Sequence, residues 1–260
     1  MIEKVVTNYA PITLVVKVRS DKPQKLYFTV SDASNPFRKF TERWKTIQGE
    51  ETLFVRMPLS PEVSKIEVSN TPNGTLGNSN VGYELISVKK SALERRIDEN
   101  DIGNSMIRNF VNFSQKFCFN VSDLDVNKTY RSDDGNFFIN LVSTIRKENG
   151  VELTTPARIG RRTGTIQVSK KAFLKFTIPM RMAILLHEFS HFYLNEKIDD
   201  EMEADLNGLL IYLGLGYPRI EAYQAFLETF KEKPTQLNKA RYDLINKFIN
   251  DFEKMNIVIE

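Results

Sequence analysis

Hydrophobic and polar residues alternate along the first third of the chain. From Met1 to about Val88, the segments TLVVKVR, KLYFTV, TLFVRM, KIEV and YELISV each place every second apolar side chain on one face. Turn-forming stretches lie between them: SDKPQ, SDASNP, LSPE and NTPNGTLGNSNVG. Short alternating segments divided by turns predict antiparallel strands, and their close spacing favours a small β-sandwich.

The hydrophobic period changes after the polar stretch SVKKSALERR. Apolar residues of NDIGNSMIRNFVNFSQKF recur at helical spacing, and the segments NFFINLVSTI and TGTIQVS then have the character of strands. Four further helices are predicted, at about 179–195, 200–213, 218–230 and 237–255. The sequence therefore predicts an α+β protein with two domains, a β-sandwich interaction domain at 1–92 and a second domain at 93–260.

Composition and charge narrow the class of protein. The 260 residues are 41% hydrophobic and 27% charged, as in ordinary globular proteins. A net charge of +3 without a basic block gives no reason to expect a nucleic-acid partner, and the single cysteine excludes an internal disulfide framework. Because no apolar run has the length of a secretory signal or a membrane span, we expect a soluble, cytoplasmic protein.

Both histidines of the chain lie in the segment LLHEFSHFYL. His187 and His191 are four residues apart, so on a helix their imidazoles share one face and can bind one metal ion. Glu188 follows the first histidine and can accept a proton from a metal-bound water, which is the general-base role in H-E-x-x-H. The spacing predicts a zinc site; the alternative is a pair of histidines that share a helix face by chance.

The acidic segment NEKIDDEMEAD follows directly, with Glu201 ten residues after His191, and it supports the metal site. If its short loop turns the chain back, Glu201 comes level with His191 and Asp205 comes level with His187. A carboxylate beside His187 can fix the tautomer and direction of the imidazole, whereas Glu203 points to another side of the helix. The alternative is an acidic helix N-terminus, which the helix dipole favours but which does not explain the register.

These paired motifs resemble those of the gluzincin metallopeptidases, in particular the E-x-x-A-D group that contains the HtpX-like enzymes. The resemblance covers about residues 155–230. It implies a zincin-like fold, zinc as the cofactor, and hydrolysis of a peptide or protein substrate. It also implies His187, His191 and Glu201 as the metal ligands, Glu188 as the catalytic base and Asp205 as a residue that supports a ligand histidine.

The same resemblance implies two further features of an active site. An edge strand would pair with the substrate backbone, and Gly164–Ser169 is the segment that we expect to form it. A side chain would also stabilise the oxyanion of the tetrahedral intermediate. No third histidine is present, so the candidates near the end of the helix that carries Glu201 are Tyr212, Tyr217, Arg219 and Tyr223.

A second resemblance points to a different class of function. A β-sandwich followed by HEFSH and EADLNGLLIYLGLGYPRIEA is similar to metallopeptidase-like virion proteins of crAss-like bacteriophages. That resemblance implies a structural protein in a ring at the portal, or head–tail connection. The metallopeptidase fold would then be a building block, the β-sandwich a contact module, and neighbouring virion proteins or further copies of the chain its partners.

Overall fold

The structure is a computed structural model that describes residues 1–70, 82–231, 235–252 and 254. Two compact units divide the chain, Met1–Glu94 and Arg95–Glu260. The α+β class is confirmed, because an antiparallel sheet occupies the first unit and a mixed sheet with helices occupies the second. Most of the turn predicted at 70–82 lies outside the described residues, and so do residues 253 and 255 of the helix predicted to end at 255.

Five antiparallel strands form one sheet in the first unit. They are β1 (Ile2–Val6), β2 (Ile12–Asp32), β3 (Lys39–Met57), β4 (Val63–Ser69) and β5 (Tyr83–Ala92). The long strands β2 and β3 pair along nearly their whole length. On its other edge, β2 pairs first with β5 and then with β4, and β1 pairs with the far edge of β4. Hydrogen bonds therefore connect all five strands.

Two predicted short strands, TLVVKVR and KLYFTV, are parts of the single strand β2. We expected the intervening SDKPQ to be a turn, but it is an irregularity in pairing between Ser20 and Gln24. Pro23 removes a backbone donor, which a strand tolerates at such an irregularity. The predicted face is correct, because Leu14 and Val16 before the irregularity and Phe28 after it are all buried.

The second unit contains a mixed sheet, in the order β6-β7-β9-β8. Its strands are β6 (Lys128–Arg131), β7 (Phe138–Val142), β8 (Ala157–Ile159) and β9 (Ile166–Ser169). We expected Gly164–Ser169 to form an edge strand, and this prediction is wrong, because β9 lies between β7 and β8. The three-residue β8 occupies this edge, and Gly164 takes a positive φ of 65° in the connection from β8 to β9.

Six α-helices belong to the second unit within the described residues. They are α1 (Ser105–Asn120), α2 (Lys170–Phe173), α3 (Ile178–Tyr193), α4 (Glu201–Gly214), α5 (Arg219–Lys231) and α6 (Gln236–Phe252). Helix α3 is central: Leu185, Leu186 and Phe189 are fully buried, and the Phe189 ring stacks on that of Phe110 at 4.1 Å between centroids. No helix in the described ranges combines the length and hydropathy needed to cross a membrane.

Candidate metal centre

Helices α3 and α4 carry the predicted metal-binding residues, and local sequence fixes where each helix begins. Thr177 caps α3 by accepting a hydrogen bond from the Met180 N–H. Asp200 caps α4 by accepting hydrogen bonds from the Met202 and Glu203 N–H groups. Because capping residues satisfy N–H groups that have no partner within the helix, they define the register in which the later side chains emerge.

Gly208 allows α4 to pack closely against the α3 backbone at Leu186 and His187. A Cβ atom at this position would lie 3.0 Å from the backbone nitrogen of His187 and 3.1 Å from the carbonyl carbon of Leu186. These distances are shorter than ordinary carbon contacts of about 3.5–4.0 Å. Only glycine therefore fits this packing without displacing the helix backbone, and sequence reasoning gave Gly208 no role.

His187, His191 and Glu201 converge at the contact between these helices. Their ligand atoms all lie within 4.8 Å of one another. The two Nε2 atoms are 3.1 Å apart, and each lies 3.5 Å from one carboxylate oxygen of Glu201. Two ligands about 2.0 Å from a tetrahedral metal ion are separated by roughly 3.3 Å. The three side chains therefore fit a common metal ion.

The Nδ1 atom of each imidazole faces an acceptor, which leaves Nε2 for the metal. His191 Nδ1 lies 2.9 Å from the carbonyl oxygen of Ile198, in the loop before α4. His187 Nδ1 lies 2.9 Å from Oδ1 of Asp205, although its N–H direction departs from hydrogen-bond geometry. An acceptor at one ring nitrogen places the proton there and directs the other lone pair at the metal. The observed arrangement thus suits metal ligation by both histidines.

Carboxylates determine the charge of the first histidine when no metal is bound. Burial alone would lower the pKa of His187, but Asp205 and Glu201 raise this pKa to about 10. Burial would likewise raise the pKa of Glu201, whereas His187 and His191 lower it far below its usual range. In the metal-free protein a proton is therefore held among these groups, and a metal ion has to displace it.

Glu188 lies on α3 next to the first ligand but contacts the sheet. Its Oε2 accepts a hydrogen bond of 2.7 Å from the backbone N–H of Ile159, the last residue of the edge strand β8. The side chain is half-buried, and its charge contributes to the raised pKa of His187. The predicted base is thus held between the edge strand and the metal-binding side chains. Glu203 differs, since it accepts a hydrogen bond from the Glu196 N–H at 2.9 Å.

Two arginines at the site were missed by sequence reasoning. Arg241, from α6, contacts both Asp205 and Glu201. Arg161, from the connection between β8 and β9, contacts Glu201 at 3.5 Å and donates a hydrogen bond to the Ile198 carbonyl oxygen. Neither belongs to a motif, and Arg241 is 36 residues beyond Asp205 in the chain. Their positions depend on tertiary packing.

The four side chains considered for oxyanion stabilisation belong to the helical region, where three tyrosines contact neighbouring groups and Arg219 is exposed. Tyr212 and Tyr217 are fully buried with stacked rings, and the Tyr212 hydroxyl donates to the carbonyl oxygen of Pro218. The Tyr223 hydroxyl lies 3.5 Å from the Asn246 carbonyl oxygen. Arg219 is exposed at the first position of α5. Packing within the helical region therefore accounts for the two buried tyrosines.

The assignment of this site rests on its geometry, because comparison with known proteins found no relative. No protein-family model, curated protein or solved structure matches the chain. The structure supports a candidate metal site of two imidazoles and one carboxylate, accompanied by a second carboxylate and two arginines.

Proposed function

We propose that the chain is a zinc metallopeptidase-type protein in which His187, His191 and Glu201 hold the zinc ion. The observation that carries the proposal is the convergence of these side chains, with the Nδ1 atom of each histidine facing an acceptor. Two imidazoles and a carboxylate, without a thiolate, form a ligand set that suits catalytic zinc. Three protein ligands also leave a fourth position for water.

Glu188 acts as the general base in this proposal. Bound zinc would lower the pKa of a water molecule and polarise the substrate carbonyl. Glu188 follows a ligand in the chain without ligating the metal, so its carboxylate can accept the proton of the attacking water and deliver it to the leaving amine. The Ile159 N–H, 2.7 Å from Oε2 of Glu188, holds this carboxylate in place.

We place the proposed binding site for an extended peptide along the outer edge of β8. Within the part of the chain that the structure describes, β8 pairs with β9 alone, which places it at the edge of the sheet. An extended peptide can add to such an edge through main-chain hydrogen bonds. The Ile159 N–H at this edge already donates to Glu188, so a peptide pairing at this residue would compete for the same donor.

Glu188→Gln tests the proposed enzyme, because glutamine has nearly the same shape and cannot act as the base. We expect unchanged zinc content and thermal stability, and peptide hydrolysis lowered by at least about 100-fold, the lower range for general-base catalysis. Glu203→Gln is the matched control, since Glu203 contacts the Glu196 N–H and should leave hydrolysis unchanged. Zinc-loaded wild-type protein that cleaves a broad peptide library no faster than Glu188→Gln would contradict the proposal.

A structural role in a virion ring is our second candidate, and the N-terminal sheet provides the observation that favours it. Trp44 and Phe54 are 40% and 62% exposed, and they pair across the strands with Tyr27 and Val15. Exposed aromatic side chains on one face of a sheet are typical of contact surfaces. This candidate predicts that the purified chain forms a closed ring by native mass measurement, and that Trp44→Ser with Phe54→Ser reduces the ring to monomers. A wild-type monomer would contradict ring formation.

A further inference from the structure

Arg241 contacts two carboxylates of the candidate metal centre, those of Asp205 and Glu201. Its Nε and Nη2 atoms lie 2.7 and 2.9 Å from the two carboxylate oxygens of Asp205, and both contacts are buried hydrogen bonds. Its third nitrogen, Nη1, lies 3.1 Å from Oε2 of Glu201. The guanidinium also lies over the ring of Phe230, 4.7 Å from its centroid. Every nitrogen of this side chain therefore faces a carboxylate of the site.

We propose that Arg241 is a positioning residue that prepares the metal centre before the metal binds. Its paired bonds hold Asp205, whose Oδ1 is thereby kept at His187 Nδ1. Its third nitrogen holds the carboxylate of Glu201 level with the two histidines. A planar guanidinium can make these three contacts at once, whereas the ammonium group of lysine is a compact point charge without the fork geometry.

Burial and charge explain why the site needs this cation. Asp205 is almost fully buried, and Glu201 lies beside it in the same contact between helices. Two neighbouring carboxylates repel each other in the metal-free protein, and a buried carboxylate without a partner is strongly unfavourable. Arg241 neutralises part of this charge from a helix that carries none of the predicted ligands, so α6 becomes part of the metal centre.

Arg161 also reaches Glu201, but its contacts do not suit the same role. Its Nη2 lies 3.5 Å from Glu201 and its Nε lies 3.4 Å from the exposed Asp199. Its side chain is 35% exposed, compared with 10% for Arg241. Solvent screens a contact of this kind, so the buried arginine contributes more to the orientation of the carboxylates.

Zinc affinity measured in folded variants tests the inference. Arg241→Met should weaken zinc binding by about 100-fold in competition with a chelator, the upper end for residues that orient metal ligands. Arg241→Lys keeps the positive charge but loses the planar guanidinium, so its zinc affinity should fall by about 10-fold. Its cobalt-substituted form should show an altered visible spectrum. Lys247→Met is the control, because it removes an exposed cation from the same helix and should bind zinc like wild type.

The outcomes separate this inference from the proposed metal site on which it rests. Wild-type protein that binds no zinc would overturn both. Zinc-binding wild type with equal affinity in folded Arg241→Met would overturn the role of Arg241 alone. If Arg241→Met does not fold, Arg241→Lys decides: a lower affinity and a changed cobalt spectrum support the role, and wild-type values for both overturn it. Peptide hydrolysis enters none of these measurements.

Discussion

Replacing Gly208 with alanine tests whether the close approach of α4 to α3 forms the metal centre. The new Cβ would lie 3.0 Å from the His187 nitrogen, 3.1 Å from the Leu186 carbonyl carbon and 3.2 Å from the His187 Cα. Ordinary contacts between such atoms are about 3.5–4.0 Å, so the helices have to separate by roughly 0.5 Å. All three atoms belong to the backbone, and a side-chain rotation cannot relieve the contact.

Two opposing effects set the expected loss of stability. Alanine is favoured over glycine within a helix by about 0.8–1.0 kcal/mol. Overpacking a well-packed contact costs about 1–3 kcal/mol. The net destabilisation is then at most about 2 kcal/mol, or a fall in Tm of roughly 2–4 °C for each kcal/mol in a domain of this size. Zinc affinity should also fall, by about 10-fold or more, because the backbone that Gly208 contacts belongs to the metal ligand His187.

Thermal unfolding with and without zinc, together with a chelator competition, measures both effects. Gly82→Ala is the matched control: a Cβ at Gly82 meets nothing within 4 Å, so both its Tm and its zinc affinity should stay at wild-type values. If Gly208→Ala binds zinc as tightly as wild type and unfolds at the same temperature, the close helix contact does not define the site.

Three further predictions concern the charged groups of the centre. Glu201→Ala should lose zinc while Glu203→Ala keeps it in elemental analysis, because only Glu201 faces the histidines; the reverse result would mean a different helix register. Asp205→Asn should weaken zinc binding by about 10–100-fold, and an unchanged chelator titration would remove Asp205 from the site. Since the pKa of His187 is raised to about 10, zinc binding at pH 8 should release about one proton, and affinity should rise with pH up to about 10. The same shift stabilises the metal-free fold below the ordinary histidine pKa of 6.5, and this stabilisation should be lost between pH 6.5 and 10. Calorimetry in buffers of different ionisation enthalpy that detects no proton release would contradict a charged His187.

The local register of the candidate site was predictable, because it depends on two helices and a short loop. The spacing of His187 and His191 fixes one face of α3, and the loop turns the chain back into α4. Glu201 and Asp205 then come level with the histidines as the helix period requires. These relations are local in sequence, so helix periodicity and the turn of the short loop are enough to predict them.

Arg241 was not predictable, because the contact depends on how a distant helix packs. The amphipathic pattern of α6 indicates that a face is buried, but it does not indicate which residue meets α4. Gly208 was missed for a similar reason: a glycine within a helical pattern has many structural explanations, and its contact with α3 follows only from the packing of the two helices.

Strand boundaries were the least predictable part of the fold. Alternation identified the buried face of β2 correctly, but it gave no sign that the strand continues through SDKPQ. The edge strand β8 has three residues, too few for any period to appear in the sequence. Consequently the prediction assigned the edge to the longer neighbouring segment, which the structure places inside the sheet.

X-ray absorption at the zinc edge most directly tests the central claim that the two histidines and Glu201 bind zinc. The account predicts one zinc per chain, a first shell of nitrogen and oxygen at about 2.0–2.2 Å, and the outer scattering of two imidazoles. His191→Ala should remove one imidazole contribution and most of the bound metal. A protein that binds no zinc, a first shell containing the sulfur of the buried Cys118, or a spectrum unchanged in His191→Ala would contradict the account.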